Sequence, residues 1–243
     1  MTLTRQHESD WLCRQCPAGK GALCGALTRR QNWRENGRPC SIRQSIQNTA
    51  ANEVICSQGG FPDHVFALCR GWALRFVELA DGRRQNLAVL LPGDMQVCAL
   101  FQDKLHYSVE AVTALRITRF ASADLKTCIL GDANMLAMIG RACAAEQRAA
   151  DERAINLGRR SAEERVMHLL LGLVERMSQH RVQANHPYAF PLLQRHIADL
   201  TGLTPVHVSR VMTEFRNAGV MKLSKGILTI TDLAQVEQIA QLK

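Results

Sequence analysis

The apolar positions of this chain fall into two textures. Between about residues 40 and 122, short β-prone runs recur: Val65-Phe66-Ala67-Leu68, Ala73-Leu74-Arg75-Phe76-Val77, Leu87-Ala88-Val89-Leu90-Leu91 and Leu115-Arg116-Ile117-Thr118-Arg119-Phe120. Turn signals at Gly59-Gly60, Asp81-Gly82 and Pro92-Gly93-Asp94 separate them. Asp-Gly between two such runs signals a hairpin, because a tight turn that matches strand twist needs residues tolerant of positive φ. Runs this short and this closely spaced predict an all-β barrel or roll. From about Ala133 to Leu157 the pattern changes: Met135, Ile139, Ala142, Cys143, Ala149, Ala150, Ala154 and Leu157 form a rough stripe at helical spacing, with no Pro. Such a helix would be ~38 Å long at ~1.5 Å per residue, longer than a small domain requires. It reads as a helix that pairs with its twin in a homodimer.

Gly158-Arg159-Arg160 follows as an expected hinge. Ser161-Ala162-Glu163-Glu164 then reads as a capping box ahead of the apolar run Val166 to Leu171. The most informative stretch is Leu193 to Arg216. Ile197 and Leu200 give a first helix its apolar face, and Gly202 ends it where positive φ is cheap for glycine. Thr204 is placed to cap a second helix, with Pro205 in its first turn, where no amide bond is lost. Val208, Val211, Met212 and Phe215 would bury that helix and leave His207, Ser209, Arg210 and Arg216 outside. Two short strands around Lys225-Gly226 complete a winged helix-turn-helix. The predicted domains are a cysteine-rich segment 1–39, a β-roll sensor domain 40–130, a dimerisation helix 131–158 and a DNA-binding domain 159–243. The fold class is α+β, with the N-terminal β-roll of cupin-like jelly-roll type.

Charge agrees with that reading. Thirty Lys and Arg stand against 22 Asp and Glu, a formal +8, which favours an anionic partner, nucleic acid first. Arg210 can donate two hydrogen bonds to a guanine edge, and Thr204, Val206, His207 and Ser209 lie near it on the same helix start. Arg195, Arg216 and Lys225 suit phosphate. Neither a membrane span nor an export signal is expected, which points to the cytoplasm. No phosphate loop, nucleophile triad or metal-hydrolase motif is present, so the chain is not expected to be an enzyme.

Nine cysteines is a high count. Cys56, Cys69, Cys128 and Cys143 sit singly among apolar residues and read as small buried hydrophobes. Cys13, Cys16 and Cys24 instead have the spacing C-x2-C-x7-C, with glycines that let the loop turn. Such a set suits an iron–sulfur cluster, a zinc ion or dithiol chemistry, and spacing does not separate the three.

The order β-roll, long helix, winged helix resembles the Crp/Fnr family of transcription regulators over roughly residues 50–235. The residues that carry the likeness are Gly71, Asp81-Gly82, Leu91-Pro92-Gly93-Asp94, Ala162-Glu163-Glu164-Arg165, Ile197-Ala198-Asp199, Gly202-Leu203-Thr204 and Val208-Ser209-Arg210. The resemblance implies a homodimer on a palindromic promoter site of double-stranded DNA, an activator acting with RNA polymerase. It also implies a sensor. The branch that holds a cyclic nucleotide has Glu after its glycine and Arg before Ser or Thr, whereas this chain has Gly93-Asp94-Met95 and Tyr107-Ser108. Without the charged clamp, no cyclic nucleotide is expected.

The oxygen-sensing branch holds a [4Fe-4S] cluster on three N-terminal cysteines and a fourth from the β-roll, and some members share the seven-residue spacing. The resemblance thus implies Cys13, Cys16 and Cys24 as ligands of a cluster whose loss to oxygen loosens the dimer. The branch's fourth cysteine lies on the strand ending at Phe120, and Leu115 to Phe120 contains none. Cys98 is the substitute, followed by Cys40 and Cys69. Where the branch has Glu, three residues before Ser209-Arg210, this chain has Val206, so its operator should differ. A thiol or haem sensor, or a structural zinc, on the same DNA-binding chain is the alternative.

Overall fold

In the computed structural model, residues 23–28, 34–35, 38–39, 42–178 and 182–240 are described. They divide into two units, the first reaching residue 78 and including 89–148, the second comprising 79–88 and the described residues from 149 onward.

The first unit opens with helix α1 (Leu23–Thr28) and two-residue strands β1 (Arg34–Glu35) and β2 (Arg38–Pro39). Strand β3 (Gln44–Thr49) then pairs antiparallel with β9 (Leu115–Ala121), which also pairs with β5 (His64–Arg70). A second sheet has the order β4 (Val54–Cys56), β8 (Ser108–Ala111), β6 (Ala73–Glu78), β7 (Arg84–Leu90), with residues 84–88 of β7 belonging to the second unit. In β5 the residues Val65, Phe66, Ala67 and Leu68 are all buried, so this strand reads as a continuous apolar run rather than an alternating one. All four apolar runs named from the sequence lie in strands or, at Leu91, one residue beyond. Strands β3 and β4 are not legible in the sequence, because their mixed residues (Gln44-Ser45-Ile46-Gln47-Asn48-Thr49 in β3) are held by pairing more than by burial. Strand β8 is missed because its four residues, though mostly buried, are too few and too mixed to form an apolar run.

Helices α2 (Ser122–Gly131) and α3 (Ala133–Arg159) follow. Asp132 separates them, its carboxylate accepting from the amides of Asn134 at 2.8 Å and Met135 at 3.0 Å. The first half of α3 is seated by Met135 and Ile139, which join Val65, Ala67, Phe120 and Leu125 in one apolar cluster. The hinge expected at Gly158-Arg159-Arg160 is displaced: α3 runs through Gly158 to Arg159, and the corner lies at Arg160-Ser161. Hydrogen bonds fix that corner. Arg160 Nη2 reaches Glu152 Oε1 at 2.7 Å, and Arg165 Nε donates to the Arg160 carbonyl at 2.9 Å.

The second unit continues with α4 (Ala162–Met177), opened by the anticipated capping box: Ser161 accepts from the Glu164 amide at 3.2 Å, and its own amide donates to Glu164 at 2.8 Å. Strand β10 (Pro187–Ala189), α5 (Gln194–Thr201), α6 (Pro205–Asn217), β11 (Met221–Ser224), β12 (Ile227–Ile230) and α7 (Leu233–Ala240) complete it. The wing hairpin β11–β12 gains β10 as a third strand, which the sequence did not reveal. No single helix among the described residues is long and apolar enough to cross a membrane.

Gly71 gives the fold its most demanding backbone position. Its φ is +91°, and a Cβ there would lie 2.4 Å from the Ala114 carbonyl oxygen and 2.7 Å from a Leu115 methyl. Gly71→Ala is expected to destabilise the chain by at least about 1–3 kcal/mol from backbone strain alone. Denaturant unfolding of both proteins measures this, and an unchanged midpoint would show that the β5–β6 corner relaxes freely.

Candidate nucleic-acid interface

The interface is built by burying the opposite side of a helix. Helix α5 seats Ile197, Ala198 and Leu200 in the core and ends at Gly202, whose φ of +66° is left-handed and whose amide donates back to the Ala198 carbonyl. Thr204 then caps α6, its hydroxyl accepting from the His207 amide at 3.2 Å, with Pro205 as the first helical residue. Val208, Val211, Met212 and Phe215 face inward, each under a tenth exposed.

Helical geometry then turns Val206, Ser209, Arg210 and Thr213 to the other side, at the spacing i, i+3, i+4, i+7. These four, with Pro205, Glu214 and Gln194 from α5, line one shallow groove. Val206 is 80% exposed. A large apolar residue left in water at the start of such a helix has no packing role, and its chemistry suits a thymine methyl in the major groove. Arg210 is held ready along the helix surface. Its Nη2 lies 2.9 Å from His207 Nε2, and its Nε lies 3.8 Å from Glu214 Oε1. Both contacts are exposed and readily exchanged for a base edge. At the start of α4, Glu163 is held below the usual carboxylate range by its own amide and by the Ser161 hydroxyl, with help from the charges of His207 and Arg210.

All the residues expected from the sequence to face DNA are exposed or half-buried. Thr204, Val206, Arg210 and Arg216 are exposed on α6 or its cap, and His207 and Ser209 are half-buried. Arg195 is exposed on α5, beside His196. Lys225 stands at the wing tip with φ +50°, between β11 and β12. Thr213, Glu214 and Gln194 were missed. The seven-residue step from Val206 to Thr213 was a usable signal for the first.

The thiols of the first unit form a second constellation. Cys13, Cys16 and Cys40 lie outside the described residues. Cys24, on α1, is half-buried, and its Sγ is 3.7 Å from the Gly93 carbonyl. Cys98 lies in a 3-10 turn, Val97–Phe101, and its Sγ is 2.8 Å from Sγ of Cys143 on α3. Cys24, Cys98 and Cys143 all pack against the one apolar cluster. Burial, Cys143 and the Glu146 carboxylate push the Cys98 thiol up. Of the four cysteines expected to be buried hydrophobes, Cys128 is buried but disulfide-bonded, and Cys56, Cys69 and Cys143 are half-buried and make polar or thiol contacts. Arg75 lies among them, donating to Gln96 at 2.9 Å and Glu146 at 3.1 Å and stacking 5.1 Å from the Tyr107 ring centroid.

Two family models match the chain: a Crp-like helix-turn-helix domain over residues 164–239 and a cyclic nucleotide-binding domain over residues 46–132. A Rhizobium leguminosarum bv. viciae protein described as a "probable transcriptional activator" is 31% identical over 228 residues, covering 93% of this chain and 92% of its own. The nitrogen fixation regulation protein FixK of Bradyrhizobium diazoefficiens is 28% identical over 230 residues, covering 94% and 93%. Among solved structures, FixK2 from Bradyrhizobium japonicum superposes with a TM-score of 0.75 at 24% identity, over 83% of this chain and 99% of that one.

Arg210→Ala is expected to cost about 1–3 kcal/mol and relax preference at one base position, by loss of a bidentate contact. Selection from random duplexes with both proteins reads this out, and an unaltered preference would misplace the reading helix. Lys225→Ala should weaken binding to all sequences alike and lower the salt slope by about one, measured by titration over a range of salt.

Proposed function

The chain belongs to the Crp/Fnr family of transcription regulators, and on that premise we propose that it is a homodimeric activator whose promoter affinity follows oxygen or redox state. DNA binding is the family's activity; its relatives are regulators rather than enzymes. One observation carries the reading for this chain: α6 is buried on one face while its other face presents Val206, Ser209, Arg210 and Thr213 to solvent. Two copies related by a two-fold axis would place this surface in successive major grooves, which requires a palindromic operator with half-sites about one helical turn apart. Exposed Leu136 and Ile155 on α3 leave apolar surface that the twin helix would cover. Val206 in place of a carboxylate predicts a T·A pair at the position it touches. RNA polymerase is the proposed partner through which the bound dimer acts.

For the sensor we propose an iron–sulfur cluster on Cys13, Cys16 and Cys24. Cys24 fits: it is half-buried against the first unit's core, on a short helix that places it within the β-roll. Cys98 is the proposed fourth ligand, packed against the same apolar cluster as Cys24. Without a metal, burial, Cys143 and the Glu146 carboxylate push its thiol up, and a bound iron would displace that proton. When bound, a cluster supplies a centre that oxygen or nitric oxide can oxidise or dismantle. A cyclic nucleotide is not proposed: Gly93-Asp94-Met95 and Tyr107-Ser108 lack the charged clamp, and the half-buried Arg75 is already paired with Glu146.

Protein purified without oxygen should contain iron and sulfide, and should lose both in Cys13→Ser, Cys16→Ser and Cys24→Ser. Zinc in place of iron would make the site structural. Metal content unchanged in all three variants would remove the ligand set, while Cys98→Ser reports directly on the fourth position.

A further inference from the structure

The contact between Cys98 and Cys143 reaches past the proposed cluster. Their sulfurs are 2.8 Å apart, and a covalent S–S bond is about 2.05 Å long, so less than an ångström of movement closes the gap. Both carriers are held in place. The 3-10 turn is anchored by Val97 and Leu100, and α3 by Met135 and Ile139, all at most 1% exposed. The same two elements are bridged a second time, by Arg75, which binds Gln96 two residues before Cys98 and Glu146 three residues after Cys143. Both thiols are themselves half-buried rather than sealed, so a small oxidant can reach them. Two cysteines 45 residues apart in sequence, on a sensor-domain turn and on the long helix, thus meet at bonding range.

We infer that Cys98 and Cys143 are a redox modification site, a dithiol that oxidises to a disulfide and ties the 3-10 turn covalently to α3. The co-reactant is a low-molecular-weight disulfide of the glutathione class. One cysteine thiolate attacks it, forming a mixed disulfide and releasing one small thiol. The second cysteine thiolate attacks the protein-side sulfur of that mixed disulfide, forms the Cys98–Cys143 bond and releases the second small thiol. The two cysteine protons end on the two released thiols. Two cysteines are oxidised by two electrons, and one small disulfide is reduced by two. The bond would fix the N-terminal half of α3 in one seating against the β-roll, where the reduced state relies on the Arg75 bridge and apolar packing.

Trypsin separates the two cysteines cleanly: residues 85–104 contain Cys98 alone, and residues 142–148 contain Cys143 alone. Full-length protein equilibrated with oxidised glutathione, alkylated and digested without reductant should yield these two peptides joined, two hydrogens lighter than their sum. The joined species should vanish on reduction and in both Cys98→Ser and Cys143→Ser. Recovery of both cysteines alkylated, or each capped by glutathione with no cross-link, would overturn the inference. Cys143→Ser keeps the reading independent of the cluster proposal: it should abolish the cross-link while leaving iron and sulfide per chain unchanged. Loss of iron in Cys143→Ser would make the residue a ligand and overturn the dithiol. Operator affinity of the cross-linked form should differ at least threefold from that of the reduced form, and equal affinities would reduce the bond to a modification without regulatory effect and overturn its role as a switch.

Discussion

The seating of α6 decides which side chains the helix-turn-helix presents to solvent. Val208, Val211, Met212 and Phe215 are withdrawn from water on one side of the helix, and each such side chain contributes about 1.5–3 kcal/mol when fully buried. The exposed contacts of Arg210 with His207 and Glu214 are each worth ~0–1 kcal/mol. Burial therefore sets the helix's rotation, and the polar contacts only stage the guanidinium. Thr204 and Pro205 fix where the helix begins, and Gly202 turns the chain so that it can begin there. With start and rotation both set, the outward stripe follows without further choice. Val206, a large apolar side chain 80% exposed, gains no burial from this arrangement in the free protein, and that imbalance points to a surface completed by a partner.

The first unit follows a different logic. Its strands form a roll whose apolar cluster continues into α2 and the first half of α3, so the long helix is partly a core element of this unit. Against that apolar seat sits a small polar and thiol constellation of Arg75, Gln96, Tyr107, Glu146, Cys98 and Cys143. Arg75 is only 12% exposed, and its charge is carried by Glu146. A half-buried ion pair is a modest source of stability but costly to break on one side. It suits a junction that must hold one register between turn and helix. A cyclic nucleotide's phosphate would compete with a carboxylate already in place, and a redox event at the thiols would act on the same two elements from beside them.

Much of this was written in local patterns. The strands at Val65, Ala73, Leu87 and Leu115, the Asp81-Gly82 hairpin, the Ser161 capping box and the whole unit from Gln194 to Ile230 are specified by residues within a few positions of one another. Turn chemistry, capping and helical periodicity operate at that range, so the sequence by itself determined the α+β class, the order of elements and the outward stripe of α6. What only the tertiary structure decided lies between distant segments. Strands β3, β8 and β10 exist because partners elsewhere in the chain accept their hydrogen bonds. The corner after α3 is set by Arg160 and Arg165 rather than by Gly158. Cys98 looked like a candidate ligand and Cys143 like filler, and the fold brought them together. A residue's chemistry follows from its neighbours in space, and for a pair 45 positions apart no periodicity along the chain can name them.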